Sequence, residues 1–261
     1  MSKIYLRLLA ASVRAQMQYR FDFLISTVLY AGLTVMDFAT VAVILARFKI
    51  VGGWELPQIA LLAGVPSTAW GLYRTFASEL HEIEPYLISG SFDSFLVRPY
   101  PPLLLLTAQK FDLGRVGGIG QGMVVLGTGL WYFVTGGGAP LAALYILLLP
   151  LAAFGIMLGL SLATAGVGFW IIRVEQLQHF VLGAPMAAGN YPLAIFPTWL
   201  RRVLTFILPV GAWAYFPLRY LLGKGGSPLA LGAPFLAAGA VLGVGYLVWR
   251  AGLRQYQSTG S

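Results

Sequence analysis

The sequence contains no cysteine among its 261 residues. This absence excludes disulfides, zinc–thiolate sites, iron–sulfur clusters and thiol catalysis. Charge is also scarce, because charged residues make up 10% of the chain, whereas a soluble domain carries about 25%. Hydrophobic residues make up 58%. So few charges cannot cover a surface that faces water. The composition therefore excludes a soluble enzyme, a disordered chain, a coiled coil and a nucleic-acid-binding protein.

The common motifs for catalysis and nucleotide binding are missing as well. The sequence has no His-Glu-x-x-His and no Gly-x-Ser-x-Gly. It also lacks a phosphate-binding Walker A loop, because Gly223-Lys224-Gly225 has no hydroxyl residue after the lysine. We therefore predict no catalytic residue, no metal ligand and no cofactor in this chain.

What the sequence does have is long windows without charge. A helix needs about 20 apolar residues to cross a bilayer. Residues 116–172 carry no charge but are too long for one span, and the glycine-rich run 136–140 divides them. The windows predict an all-α integral membrane protein, a single domain over residues 1–261. Its six predicted transmembrane helices lie near residues 22–46, 57–78, 115–135, 140–172, 176–190 and 227–249.

Residues 191–222 do not read as a full span. Several prolines interrupt them, so we predict a broken, partly inserted hairpin before the last helix. With six spans and a cytoplasmic amino terminus, 11 Lys and Arg lie inside and 6 outside, which agrees with the positive-inside rule. A seventh span over 203–218 leaves these numbers unchanged, so charge does not separate six spans from seven.

Two further features belong to the amino-terminal part of the chain. Lys3, Arg7 and Arg14 fall on one side of a helix, which predicts an interfacial helix over residues 1–20; the alternative is an ordinary cytoplasmic cap. Asp37 lies near the middle of the first predicted span, where a charge costs about 3 kcal/mol. It is interpreted as a residue that lines a substrate path. A structural pair or a protonated carboxyl remains an equal alternative.

The longest predicted cytoplasmic segment is the loop of residues 79–114. Leu80, Ile83 and Leu87 keep helical spacing, so the loop is expected to begin as an amphipathic helix, which Gly90 can end.

A second short helix is predicted over residues 93–98. Ser91 or Asp93 can cap its start, and Pro99 ends it. Such a helix suits contact with a soluble partner, although a plain connecting turn is the alternative.

At this loop the sequence resembles a known family. Residues 89–99 read SGSFDSFLVRP, which is similar to the Gly-x-[Leu/Phe]-Asp-x-x-Leu-x-Arg-Pro signature of ABC-2 type transporter permeases. The broken segment from Asn190 to Pro217 and the ending GLRQYQSTG at residues 252–260 resemble the same family. More narrowly, the sequence resembles the branch whose members have about the length of this chain and work beside a sister permease.

The resemblance implies the transmembrane subunit of an ATP-driven ABC exporter in the cell (inner or plasma) membrane, multi-pass and with a cytoplasmic amino terminus. It also implies a dimer with a sister permease or with a second copy, contacts with membrane lipids, and a separate ATPase subunit that holds ATP and Mg. An apolar, aromatic-rich path favours an amphipathic or hydrophobic substrate such as a drug, lipid or peptide. The chain itself is then not an enzyme.

The resemblance also assigns roles to residues. The short loop helix becomes a coupling helix that docks on the ATPase, with Phe92, Phe95 and Leu96 as an apolar docking surface. Asp93 caps that helix or pairs with an ATPase cation, and Arg98 pairs with an acidic group or a lipid phosphate. The residues with this coupling role are Gly90, Phe92, Asp93, Phe95, Leu96, Arg98 and Pro99. The leading helix of residues 1–20 becomes a connecting helix.

The same resemblance makes residues 191–222 an extracellular re-entrant hairpin. The residues that mark it are Asn190, Tyr191, Pro192, Pro197 and Pro209.

The sequence leaves two rival functions. A secondary transporter or channel needs no ATPase, but coupled carriers usually hold several ionisable groups inside their spans. A membrane-embedded enzyme needs a polar cluster, for which Glu79, His81, Glu82 and Glu84 are the candidates, although this spacing fits an acidic helix end equally well.

Overall fold

A computed structural model describes residues 50–109 and 115–257, together with Ile25 and Val28. Apart from Ile25 and Val28, the first predicted span lies outside the described residues, as do Asp37 and the basic residues Lys3, Arg7 and Arg14. The part of the chain that the structure describes is almost entirely helical.

The elements follow in chain order. Strands β1 (Ile50–Val51) and β2 (Trp54–Glu55) precede helices α1 (Leu56–Phe76), α2 (Ser78–His81), α3 (Ile83–Ile88), α4 (Asp93–Leu96), α5 (Pro102–Thr107), α6 (Val116–Thr135) and α7 (Pro140–Ile171). Then come α8 (Glu175–Gln178), a π-helical turn (His179–Gly183), α9 (Ala184–Gly189), a 3-10 turn (Leu193–Ile195), α10 (Thr198–Phe206), a second π-helical turn (Gly211–Tyr215), α11 (Phe216–Leu221), a 3-10 turn (Pro228–Leu231) and α12 (Ala233–Gln255).

The charge-free windows predicted the long helices well. The predicted ranges 57–78, 115–135 and 140–172 coincide with α1, α6 and α7 to within two residues. The last helix, α12, begins and ends six residues later than the predicted 227–249, because Pro228 starts a 3-10 turn before it. Within the described residues, α7 and α12 are long and apolar enough to cross a membrane.

Helix α7 is the central element. Its 32 residues make it about 48 Å long, whereas the hydrocarbon core of a bilayer is about 30 Å thick. Its amino-terminal end follows the glycine-rich run predicted to divide two spans, and Pro140 occupies its first turn, where no hydrogen bond is lost. Helix α7 is therefore about 18 Å longer than the hydrocarbon is thick.

Glycines let the long helices approach backbone to backbone in two pairs. Between α1 and α6, a Cβ added at Gly122 would collide with the backbone of Thr68. Between α7 and α12, a Cβ at Gly159 would lie 2.6 Å from the backbone nitrogen of Leu242. Gly122 and Gly159 thus serve as helix contacts, as small residues in membrane helices commonly do.

One glycine pair does not behave this way. The spacing of Gly239 and Gly243 also suggests close packing, but a Cβ at either position would meet no atom within 4 Å. The glycines of α12 that contact α7 are Gly245 and Gly252, which lie seven residues apart and face Gly159 and Gly166. Spacing alone marks a small-residue stripe and does not say which stripe faces a neighbour.

Residues 191–222, predicted to form a broken hairpin, fold as two short helical limbs. The first limb is α10, and the second runs from the π-helical turn Gly211–Tyr215 into α11. Every residue of that π-helical turn is buried. The hairpin end of the molecule is defined here as β1, β2 and residues 190–231.

The strands at the hairpin end form a two-stranded antiparallel ribbon in which Val51 lies opposite Trp54. Its turn consists of Gly52 and Gly53, which have φ of +57° and +81°, a conformation that favours glycine in tight hairpins. The ribbon contacts residues 192–195, because a Cβ at Gly52 would lie 3.1 Å from the Ile195 side chain. Lys224 extends back to it and donates a hydrogen bond of 2.7 Å to the Gly53 carbonyl.

Candidate functional site

The loop end of the molecule is defined here as α2, α3, α4, residues 169–178 and residues 249–257. It begins where α1 ends at Phe76, since Ala77 leaves helical geometry with φ of −138°. The loop then returns toward the bundle as α2 and α3. Leu80, Ile83 and Leu87 are all buried, which confirms the amphipathic start that their spacing predicts.

Gly90 ends α3 as predicted. It follows the last helical residue by two positions and has φ of +69°, a left-handed conformation in which a side chain is strained. The chain reverses here, and the Phe92 N–H donates to the Tyr86 carbonyl at 3.2 Å. Gly90 therefore fixes the angle at which the next helix leaves α3.

The short helix α4 starts at residue 93 as predicted but differs from its prediction in its end and its cap. It ends at Leu96 rather than at residue 98, before Pro99. Its N-cap position is held by Phe92, and no side chain caps it. The expectation that Ser91 or Asp93 caps α4 is wrong. The Ser91 hydroxyl pairs with that of Ser89 at 2.8 Å, and Asp93 is already the first helical residue.

Phe92 and Phe95 are buried within the chain, which corrects their predicted place on an exposed docking surface. The Phe92 ring packs edge-on against Phe169 of α7 at 5.1 Å and against Tyr256 at 5.2 Å. Trp249 of α12 closes the cluster, 6.3 Å from Phe92. These rings hold α4 to the ends of α7 and α12, because the chain turns at Gly90 and points both phenylalanines inward.

The residues that end and follow α4 face outward. Val97 is 84% exposed, and Leu96 and Tyr100 are each 42% exposed. Arg98 and Pro99 are exposed beside them. Residues 96–100, called here the exposed strip, thus present apolar side chains and one cation directly after a helix that the buried Phe92 and Phe95 anchor. Of the predicted docking side chains, Leu96 is on this surface.

Polar side chains stiffen the base of the loop. Glu79 is buried and accepts a 2.6 Å hydrogen bond from the Tyr86 hydroxyl. Burial, and then the hydrogen bond to Glu79, raise the pKa of Tyr86 well above its usual value. Arg115, at the start of α6, donates to Ser78 and lies 3.8 Å from the Glu82 carboxylate. The loop is therefore tied to α6 as well as to itself.

Asp93 lies against the carboxyl-terminal segment. Burial, and then the neighbouring Asp93 carboxylate, raise the pKa of Tyr256 to about 12, so this phenol stays protonated at neutral pH. Tyr256 follows the last residue of α12. The predicted pairing of Asp93 with a cation on an ATPase remains a prediction.

The four candidates for the polar cluster of a membrane-embedded enzyme do not converge on one site. Glu79 contacts Tyr86, Glu82 contacts Arg115, and Glu84 accepts hydrogen bonds from the backbone near α8. The His81 ring instead packs edge to face against the His179 ring, with the two ring centroids 4.8 Å apart. Across residues 50–109 and 115–257, no group of three or more His, Asp or Glu side chains is placed to hold a metal ion.

The residues predicted to mark the hairpin lie together at the opposite end. Asn190 ends α9, and the Tyr191 N–H donates to the Ala188 carbonyl at 3.2 Å. Pro192 is buried, Pro197 stands immediately before α10, and Pro209 is buried between the two limbs. Each proline stands where a helical segment starts or breaks, as expected for a residue that lacks an N–H.

The family of the chain follows from a comparison with known proteins. A family model described as an ABC-2 family transporter protein matches residues 31–260. The chain belongs to the ABC-2 family of transporter proteins. This confirms the resemblance carried by residues 89–99 and makes the chain the membrane component of an ABC transporter. Such permeases normally work with an ABC ATPase. No curated protein and no solved structure matches the chain.

Sequence reasoning missed the aromatic anchors of α4. Phe169 and Trp249 lie inside long apolar runs, where an aromatic residue gives no sign of a special role. Their role becomes visible only in the folded chain, where both rings pack against Phe92 at the start of α4. The sequence offers Glu84 as part of a polar cluster or of an acidic helix end, and its contact with a segment 90 residues away has no local signal.

Proposed function

We propose that this chain is the transmembrane subunit of an ATP-driven exporter and that the exposed strip docks on a separate ATPase subunit. The observation that carries the proposal is the contrast between the buried anchors of α4 and the exposed strip that follows it. Phe92 and Phe95 are buried, Phe92 in an aromatic cluster, whereas Leu96, Val97 and Tyr100 are exposed. An exposed apolar patch on a rigid support is typical of a protein interface.

The geometry gives a route for coupling. The exposed strip is one short helix away from Phe92, and Phe92 contacts both Phe169 of α7 and Trp249 of α12. Close-packed rings transmit displacement because a densely packed interior has low compressibility. When the ATPase subunits close on ATP, a push on α4 reaches the ends of two long helices together.

The remaining parts of the proposal follow from the family and the composition. The ATPase partner holds ATP and Mg. A sister permease or a second copy of this chain completes the path, and residues 191–222 form the extracellular cap of that path. The many aromatic side chains, with 16 Phe, 13 Tyr and 7 Trp, favour an amphipathic or hydrophobic substrate that leaves the cytoplasm.

The proposal is tested by purifying the tagged chain from its host in mild detergent and assaying the eluate for a bound protein that hydrolyses ATP. A stoichiometric soluble ATPase is the expected result, and a related membrane chain in the same eluate identifies a heteromeric permease. If only this chain elutes in several detergents, without ATP hydrolysis, a secondary transporter or channel replaces the proposal.

A matched pair of variants locates the interface. Val97→Asp places a charge on the exposed strip and is expected to reduce ATPase recovery at least tenfold, because an unpaired charge is desolvated on docking. Leu229→Asp makes the same chemical change at a residue that is also 84% exposed but lies at the hairpin end. Equal ATPase recovery with both variants would exclude the strip as the docking surface.

A further inference from the structure

The turn between α7 and α8 is strained. Helix α7 ends at Ile171, and Ile172 has φ of +58°, a left-handed conformation that a β-branched residue rarely adopts. Such strain persists only where surrounding contacts determine it. The residues that start α8, directly after this turn, are held by contacts from elsewhere in the chain.

Those contacts come from the loop. One carboxylate oxygen of Glu84, Oε2, accepts the N–H of Val174 and the N–H of Glu175, both at 2.7 Å. The first N–H groups of a helix have no partner within the helix, and a negative charge beside them is favoured by the helix dipole. The local sequence offers no cap, since Val174 occupies the N-cap position. Glu84 therefore caps α8 from a segment 90 residues away.

Further contacts extend the same attachment. Gln178 is fully buried, and its side-chain amide donates a 2.7 Å hydrogen bond to the Leu80 carbonyl. The rings of His81 and His179 lie edge to face beside it. The attachment therefore spans a full turn of α8 and both α2 and α3, so the loop and the start of α8 are joined at more than one point.

We propose that Glu84 is a positioning residue of the transport cycle, which carries movement of α2, α3 and α4 to the helical segment 175–189. This inference rests on the proposed function, because it assumes that an ATPase moves α4. The aromatic cluster links α4 to α7 and α12, whereas Glu84 links the same loop to a third helical segment. The strained Ile172 lies at the junction between these two routes.

The direct test measures hydrogen exchange in the complex of this chain with its ATPase. Glu84→Ala removes both hydrogen bonds and is expected to speed exchange of the Val174 and Glu175 amides about tenfold or more, since bonds to a charged group are the strong ones. Glu84→Gln keeps an oxygen that can accept, so a smaller increase is expected. Unchanged exchange in Glu84→Ala would overturn the capping role.

A second measurement separates coupling from mere structure. With ATP and vanadate, segments 93–100 and 175–189 of the wild type are both expected to change their exchange rates. In Glu84→Ala, segment 93–100 is expected to respond and segment 175–189 to lose its response. Glu175→Gln, a carboxylate change on α8 itself, is the control in which both segments respond.

The outcomes distinguish the two proposals. Recovery of the ATPase with Glu84→Ala is expected to match the wild type, because Glu84 is not in the exposed strip. If the wild type binds no ATPase, the proposed function fails and this inference fails with it. If Glu84→Ala and Glu84→Gln bind ATPase and segment 175–189 still responds to ATP, only the role of Glu84 is overturned.

Discussion

The loop end and the hairpin end both bury large aromatic rings, but their polar side chains are used differently. At the loop end, Glu84 and Gln178 join segments that lie 90 or more residues apart. At the hairpin end, Arg201 donates to nearby carbonyls, and the core is apolar around the buried Trp213. The long-range bond from Lys224 to the Gly53 carbonyl is exposed there. The difference indicates that buried and partly buried polar contacts join distant segments at the loop end, whereas the hairpin end is held mainly by apolar burial.

The hairpin end shows how irregular backbone is tolerated in such a protein. Its π-helical turn Gly211–Tyr215 is entirely buried, and Trp54 and Tyr215 pack with ring centroids 5.6 Å apart. Within a bilayer, non-regular backbone is stable only when protein or a water-filled cavity surrounds it. This burial is therefore consistent with the partly inserted hairpin that the sequence predicts.

A large effect is expected from breaking what the two ends share, the close approach of α7 and α12. Gly159→Leu places a side chain against the backbone of Leu242 and is expected to cost about 3 kcal/mol or more. The measurement is the midpoint of thermal unfolding in detergent. Gly243→Leu is the control, because a Cβ there meets no atom within 4 Å. Equal midpoints for the two variants would contradict this helix interface.

The next prediction separates the ends by function. Phe92→Ala at the loop end and Trp213→Ala at the hairpin end each remove a buried ring, which costs about 3–5 kcal/mol. Only Phe92→Ala is expected to weaken ATPase binding, because only that ring anchors α4. Pull-down of the ATPase by each purified variant measures this difference. Loss of ATPase binding in Trp213→Ala alone would contradict the proposal that the loop end, rather than the hairpin end, supports docking.

A smaller effect compares one hydrogen bond at each end. Tyr86→Phe leaves the buried Glu79 carboxylate with one donor fewer and is expected to cost about 2 kcal/mol. Tyr145→Phe removes a 2.6 Å bond to the Leu231 carbonyl and is expected to cost about 1 kcal/mol. Denaturant unfolding of both variants gives the two values. If Tyr145→Phe cost more than Tyr86→Phe, the charge of Glu79 would not strengthen its hydrogen bond with Tyr86.

The last prediction is a pH dependence that arises at the loop end. Burial, and then His179 and Arg74, lower the pKa of His81 from 6.5 to about 4. Between these values the unfolded chain binds more protons than the folded chain, so stability falls as pH falls from 6.5 to 4. The unfolding midpoint of His81→Asn is expected to decrease less over this range than that of the wild type. Parallel decreases would remove His81 as a cause.

Part of the candidate site was predictable because it depends on local chemistry. Gly90 ends α3 because a left-handed residue must follow the helix, and residues 89–99 carry a signature that the family match confirms. The direction in which Phe92 and Phe95 point was not predictable. A four-residue helix has no strong amphipathic pattern, so the ends of α7 and α12 decide which of its faces is buried.

The sequence by itself determined the class of protein, the bounds of α1, α6 and α7, and the break at residues 136–140. These depend on apolar length, charge and glycine or proline, which act within one segment. Only the tertiary structure decided that Gly245 and Gly252, rather than Gly239 and Gly243, face α7, and that Glu84 caps α8. Those choices depend on contacts between segments far apart in the chain, which no local pattern encodes.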